Sequence, residues 1–294
     1  MRRTRFTIAL LAASTCLPQL PATTETTAES QIKQIESATG GRIGVCAVDV
    51  RTNTSIQNRA RERFPMCSTF KLLAVGAVLQ QVNHRKESLD RFIPYTQADI
   101  LDYAPVTKEH VQEGGMTLGA LCQAAIEQSD NTAGNLVLQT LGGPAGLTKF
   151  VRTLWADDVT RLDRNEPELN DVAPGDDRDS TSPAMMHGHL SLLLLKGFLS
   201  ADLQSHLTQW LESSQTGAAM IRAGVPPGWR VGDKTGRSHN GVTNDVGVIY
   251  PPDGTPIFIA IYIFNPSASD EQRSEVISKI AHIVCDAFRP NLMR

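Results

Sequence analysis

No charge of either sign dominates this chain. Its 28 lysines and arginines face 31 acidic residues, a net charge of −3, which gives no reason to expect a nucleic-acid or membrane-surface partner. It also lacks any apolar run of the ~18 residues needed to span a bilayer. Cysteine is scarce, five in 294 residues, which is no disulfide scaffold. No internal repeat or low-complexity tract occurs. What remains is an ordinary globular composition, 41% hydrophobic and 20% charged, in a length that suits one large domain or two intimately packed ones.

The first residues read as a targeting segment. Arg2, Arg3 and Arg5 form a basic head, Phe6 to Leu11 with Ala12 and Ala13 an apolar stretch, and Ala22 a small residue suited to precede cleavage. Processing at Cys16 with lipid attached there is the competing reading. Thr15 is poorly suited just before such a site, so soluble export to the periplasm ranks above a lipid anchor. Residues 1–27 are set aside as signal peptide. The remaining cysteines, Cys46, Cys67, Cys122 and Cys285, read mostly as buried small hydrophobes.

Past the leader, Ala28 to Ser37 has an amphipathic helical pattern, and Arg42 to Val50 alternates as a strand, followed by a turn at Thr52-Asn53 into a second. Leu89 to Gly146 is helical in pattern, interrupted by Pro94, Pro105, Gly114-Gly115 and Gly142-Gly143-Pro144. Arg161 to Ser182 is dense in charge and turn formers, and a loop that long in a compact domain is usually functional or disordered. Helical pattern resumes over Pro183 to Leu211. Strands return at Arg230 to Lys234, Asp245 to Tyr250 and Ile257 to Phe264, and Ser269 to Phe288 closes as an amphipathic helix. Strands at both ends with helices between predict an α/β domain from residues 28–62 and 213–294, with an all-helical unit over 63–212 that includes the loop 161–182.

One stretch carries chemistry on physical grounds alone. Pro65 to Leu79 is apolar around a helical wheel except for the hydroxyls of Ser68 and its neighbour Thr69 and for one amine, Lys71, a turn after Ser68. A cation in such surroundings is costly, and a buried lysine tends to lose its proton. That is what a serine nucleophile needs beside it. The spacing is a weak signal by itself, expected on the order of once in a chain of this length. Indeed Ser30-Gln31-Ile32-Lys33 repeats it in a polar segment with no chemical role.

Four short motifs then follow in order: Ser68-Thr69-Phe70-Lys71, Ser129-Asp130-Asn131, Glu166-Pro167-Glu168-Leu169-Asn170 and Lys234-Thr235-Gly236. Together they resemble the class A serine β-lactamases. The likeness covers essentially the whole mature chain, including Phe64-Pro65, Asn135, the loop start Arg161 to Arg164 and its close at Asp176 to Asp179. It implies a five-stranded antiparallel sheet flanked by helices plus an all-helical domain, with the active site between them. It also implies a monomeric hydrolase of cyclic amides, acting on penicillins and cephalosporins and conferring resistance, with no metal, cofactor or nucleic acid.

The resemblance assigns roles residue by residue. Ser68 would be acylated, with its proton removed by Lys71 or by Glu166 through a water. Ser129 would relay a proton to the leaving nitrogen. Asn131 would hold a substrate carbonyl and contact Lys71. Lys234 and Thr235 would draw in the substrate carboxylate, and Gly236 would let it lie against the strand. The oxyanion donors would be the backbone amides of Ser68 and Arg237. Glu166 with Asn170 would ready the water that frees the acyl-enzyme, Arg164 and Asp179 would pin the loop, and Tyr103 would border the cleft.

Some positions depart from the family pattern. Thr243 and Ser274 stand where members often carry a carboxylate-binding arginine, leaving Arg237 as the nearest cation. Cys67 has no partner just after Lys-Thr-Gly, where Arg237 and Ser238 stand instead. Ala156 replaces a usual glycine before Asp157, which predicts local strain. His187-Gly188-His189 lacks further ligands nearby and reads as a helix start rather than a zinc site. Two other activities use much of the same machinery. One is a D-alanyl-D-alanine peptidase or transpeptidase, which gives no reason for Glu166 and Asn170. The other is a β-lactam sensor, which stays acylated.

Overall fold

The computed structural model describes residues 26–154, 157–195 and 197–289. The leader reading, including Ala22 and Cys16, and the expected strain at Ala156 fall outside them.

The first helix, α1 (Thr27–Thr39), starts where Thr26 and Glu29 bond each other's backbone N–H in a capping box and stops at Gly40, whose φ of 73° ends the helical path. Strands β1 (Arg42–Asp49) and β2 (Thr54–Asn58) form a hairpin. The two-residue β3 (Phe64–Pro65) leads through a tight turn at Cys67–Thr69 into α2 (Phe70–Asn83). Then come β4 (Phe92–Pro94), β5 (Gly115–Thr117), α3 (Leu118–Glu127), α4 (Asn131–Thr140) and α5 (Gly143–Thr153). The long loop holds one helical turn, Glu168–Asn170, and ends at β6 (Ser180–Thr181). Helices α6 (Pro183–Leu194), α7 (Ala201–Glu212) and α8 (Ile221–Gly224) precede β7 (Arg230–Ser238), β8 (Val242–Tyr250), β9 (Ile257–Phe264) and the last helix, α9 (Asp270–Phe288).

Five strands make one antiparallel sheet in the order β2-β1-β9-β8-β7, so the first and last strands of the chain lie side by side. Strand β9 shows how the sheet is buried on both faces. Its Ile257, Ile259, Ile261 and Ile263 point to a core shared with α1, α8 and α9. Its Phe258, Ala260 and Tyr262 point to the helical core around α2. Such a strand reads as continuously apolar rather than alternating. Helix α2 lies inside that second core, with every residue from Phe70 to Leu79 buried.

Two expectations shift in detail. Strands β7 and β8 run to Ser238 and from Val242, longer at the turn end than their apolar residues suggested, because cross-strand pairing carries them through Lys234-Thr235-Gly236. The segment expected to be all-helical also holds two short ribbons, β3 with β6 and β4 with β5. The first of these ties the residues before Ser68 to the end of the long loop.

Candidate active site

The Cys67–Thr69 turn places Ser68 at the head of α2, under the edge of the sheet. Cys67 adopts φ 45°, a left-handed conformation that a non-glycine residue holds only when its surroundings impose it. One turn on, the fully buried Lys71 directs its ammonium at five oxygens, Ser129 Oγ at 3.4 Å being the farthest. It donates to Ser68 Oγ at 2.9 Å, Ser129 O at 2.7 Å and Asn131 Oδ1 at 2.7 Å, and lies 3.1 Å from Glu166 Oε1. Burial lowers the Lys71 pKa from its ordinary value, while the Glu166 carboxylate opposes that shift.

Ser68 Oγ in turn donates to Glu166 Oε1 at 3.0 Å. The other carboxylate oxygen accepts from Asn170 Nδ2 at 2.5 Å. Glu166 therefore touches the serine directly, where the sequence led us to expect contact through a water. The loop that carries it is pinned at its neck as anticipated. Arg164 Nε meets Asp179 Oδ2 at 2.6 Å, and Asp179 Oδ1 takes the backbone N–H groups of Asp163 and Arg164.

The far wall comes from the α3–α4 junction and from β7. Asp130 caps α4 through Ala133 N and accepts two backbone N–H groups, from Val106 and Thr107, which fixes Ser129 at φ 57°. Ser129 Oγ accepts from Lys234 Nζ at 2.9 Å, and Lys234 also donates to Thr235 O. Burial, reinforced by the charge of Lys71, pushes the Lys234 pKa down to about 7. Thr235 Oγ1 lies 2.6 Å from Thr216 Oγ1.

A cleft of about 480 Å³ opens above these groups, lined by Ser68, Tyr103, Ser129, Asn131, Asn170, Thr235, Gly236 and Arg237, with Gln215 and Thr216. Lys71, Glu166 and Lys234 form its buried floor. Tyr103 is half exposed at the rim, its hydroxyl donating to Gln128 O. Glycine is required at 236, since a Cβ there would stand 2.7 Å from Met66 O and 3.2 Å from Ser68 N.

Both departures from the usual arginine positions meet a cation in this structure. Thr243 Oγ1 accepts from Arg273 Nε at 2.9 Å, but that guanidinium is buried and tied to Asn265, Ala268 and Asp270. Arg237 reaches Ser274 Oγ at 3.4 Å and lies 3.9 Å from Asp270; it is the one of the two that remains exposed. Cys67 is a free thiol, as are Cys46, Cys122 and Cys285. His189 is paired with Asp157 at 2.8 Å in the interior.

Sequence reasoning missed two contributors. Asn135, noted only as part of the resemblance, grips the main chain of Glu166. Asn244, a polar residue on the inner face of β8, donates to the carbonyls just ahead of the nucleophile. Its signal was present as a lone amide in a strand buried throughout, but only strand register shows what it faces.

A serine beside a buried lysine, with a carboxylate and an amide facing it from a pinned loop, defines an acyl-transferring serine hydrolase. The family model described as "Beta-lactamase enzyme family" matches residues 27–288. Among relatives, the chain is 41% identical over 260 residues to β-lactamase Toho-1 of Escherichia coli, covering 88% of this chain and 89% of that protein. It is 40% identical over 285 residues to β-lactamase CTX-M-25 of Escherichia coli, covering 95% and 97%. A solved ancestral (GNCA) class A β-lactamase superposes with a TM-score of 0.87 at 49% identity, over 89% of this chain and all of that one. The putative class A β-lactamase PenP from Rhodopseudomonas palustris gives 0.86 at 44% identity, over 89% and 100%. The chain belongs to the β-lactamase enzyme family, and within it to class A.

Proposed function

We propose that this protein hydrolyses β-lactam antibiotics through an acyl-enzyme on Ser68 and so confers resistance to them. The observation that carries the reading is the bridge of Glu166, one oxygen on Ser68 and the other on Asn170. A carboxylate and an amide in that position can orient and deprotonate a water against an ester on the serine. A peptidase or sensor of the same superfamily has no need of such a pair.

Ser68 Oγ attacks the lactam carbonyl, and the oxyanion is received by the backbone amides of Ser68 and Arg237. The Oγ proton passes to Glu166, because the hydrogens of Lys71 are all directed at acceptors and Ser68 already donates to the carboxylate. Lys71 stabilises the developing charge. The C–N bond breaks as Ser129 delivers its proton to the nitrogen and draws on the neighbouring ammonium of Lys234 or Lys71. The proton on Glu166 then crosses the 3.1 Å to Lys71 and restores the lysine charge, directly or through Ser129. In the second half the regenerated carboxylate takes a proton from water, the hydroxide attacks the ester, and Ser68 leaves with the proton that Glu166 returns. Asn131 and Tyr103 seat the acyl side chain. Lys234, Thr235 and Arg237 hold the substrate carboxylate, with Gly236 clearing the way.

The cleft lies where residues 63–212 meet residues 28–62 and 213–294, which we take as two units with the chemistry at their seam. The basic, apolar N-terminus supports export to the periplasm, where the protein would act as a monomer without metal or cofactor. Steady-state turnover of nitrocefin by the purified protein tests the reading. Many turnovers per protein are expected, and a single equivalent of colour followed by none would favour the sensor or the peptidase.

A further inference from the structure

Four residues that face each other across the sheet form one rung beneath the nucleophile turn. In register they are Gly44 on β1, Tyr262 on β9, Asn244 on β8 and Gly236 on β7. All four point at the segment from Phe64 to Thr69. A Cβ on Gly44 would stand 2.5 Å from the Phe64 ring, so the missing side chain makes room for that ring, which lies 6.1 Å from the Tyr262 ring. The Tyr262 hydroxyl meets Thr69 Oγ1 at 3.2 Å. Gly236 allows β7 to approach Met66 O and Ser68 N closely.

Asn244 alone among the four carries donors to the main chain itself. Its Nδ2 reaches Pro65 O at 2.8 Å and Met66 O at 3.1 Å. Met66 O also accepts from the amide and hydroxyl of Thr69. Three donors thus fix the carbonyl one residue before the left-handed Cys67 and two before Ser68. Packing does not account for an amide here. Asn244 is fully buried, its Oδ1 has no hydrogen-bond partner, and leaving a buried acceptor unpaired is costly. Val246 and Val248 further along the same face are apolar.

We infer that Asn244 is a positioning residue for the oxyanion donor, holding the Pro65 and Met66 carbonyls so that the Ser68 amide meets the reacting carbonyl of the substrate. The inference rests on the reading of Ser68 as the acylated nucleophile. Asn244 touches no substrate; it acts through the backbone on which the donor is mounted.

The test uses Glu166→Ala as the parent, in which the ester on Ser68 should persist, and reads the ester carbonyl by infrared difference spectroscopy with a carbonyl-labelled penicillin. Strong donors polarise that bond and lower its stretching frequency. Adding Asn244→Ala should move the band to higher wavenumber and slow acylation by about tenfold or more, short of the 10²–10³ lost when a donor is removed outright. Asn244→Ser, with a shorter donor, should fall between. An unmoved band with acylation within about twofold of the parent overturns the inference, since loss of packing alone would lower the unfolding temperature and leave the carbonyl where it was. Failure of both variants to yield folded protein also overturns it, by making Asn244 a residue of the fold first. A parent that forms no adduct on Ser68 defeats the functional reading instead.

Discussion

Asn135 holds Glu166 by both of its main-chain groups. Its Nδ2 donates to the Glu166 carbonyl at 2.8 Å, and its Oδ1 accepts the Glu166 N–H at 2.9 Å. A side chain on α4 thus stands in for a strand partner and fixes the acid on the loop relative to Lys71, which donates to Asn131 at the start of the same helix. Asn135→Ala would leave both groups unpaired, at about 1–3 kcal/mol for each that stays buried. We expect a lower unfolding temperature together with a deacylation rate that falls more than acylation does. Pre-steady-state kinetics with a penicillin separates the two, and an unchanged deacylation rate would show that the loop holds its acid without this grip.

Replacing Glu166 by alanine should arrest the reaction halfway. The carboxylate currently supports the charge on Lys71, so its loss lowers the lysine pKa further and leaves an amine able to accept the Ser68 proton. Acylation then continues, more slowly, while nothing deprotonates the water. Mass spectrometry after mixing with penicillin should find the protein heavier by the mass of the drug. Recovery of unmodified protein would remove Glu166 from the role of deacylating base.

Gly236→Ala places a methyl against Met66 O and Ser68 N, both backbone atoms with no flexible end to give way. A displacement of the nucleophile by about 1 Å can cost 10²-fold. We expect kcat/KM to fall on that scale while the protein still folds, as judged by circular dichroism. Activity within about threefold of the parent would mean that the turn can retreat.

Lys234 holds its proton only below about pH 7. Its attraction for a substrate carboxylate should therefore weaken as pH rises through that value, and kcat/KM for penicillins should decline accordingly. Lys234→Arg keeps its charge throughout and should flatten this limb of the profile. A decline of equal steepness in the variant would assign the titration to another group.

Burial works against ionisation of Asp157, but hydrogen bonds from His189 and Thr160 outweigh it and hold its pKa at about 2. A carboxyl with a folded-state pKa below its unfolded value stabilises the fold above the unfolded pKa, and that contribution is lost as pH falls towards the folded one. The stability gap between the parent and Asp157→Asn should thus be fully present at pH 6 and shrink between about pH 4 and 2. Chemical denaturation across that range measures it, and a constant gap would refute the assignment.

The chemistry was more legible in the sequence than the scaffold. Lys71 stood out because a charge in an otherwise apolar helix has few reasons to exist, and the three later motifs each placed a polar group where the fold brings it. The ends of β7 and β8 were not legible, because their polar residues face the site and broke the strand pattern. The ribbons β3–β6 and β4–β5 are too short to leave a periodic signal. The partners of Asn135 and Asn244 depend on contacts across 31 and 179 residues of chain, which local pattern does not encode. Arg273 is a surface-type residue in an amphipathic helix until the fold buries it behind Thr243.

Strand β1 lies between β2 and β9, and β9 also supports β8. Until β9 has been synthesised, the opening hairpin has no neighbour in the sheet and the rung under the serine lacks Tyr262. Contacts made across such distances form late and slowly. The catalytic turn therefore gains its last support from the sheet only when β9 pairs between β1 and β8, and a chain cut before β9 would be left with an open, adhesive edge rather than a weakened enzyme.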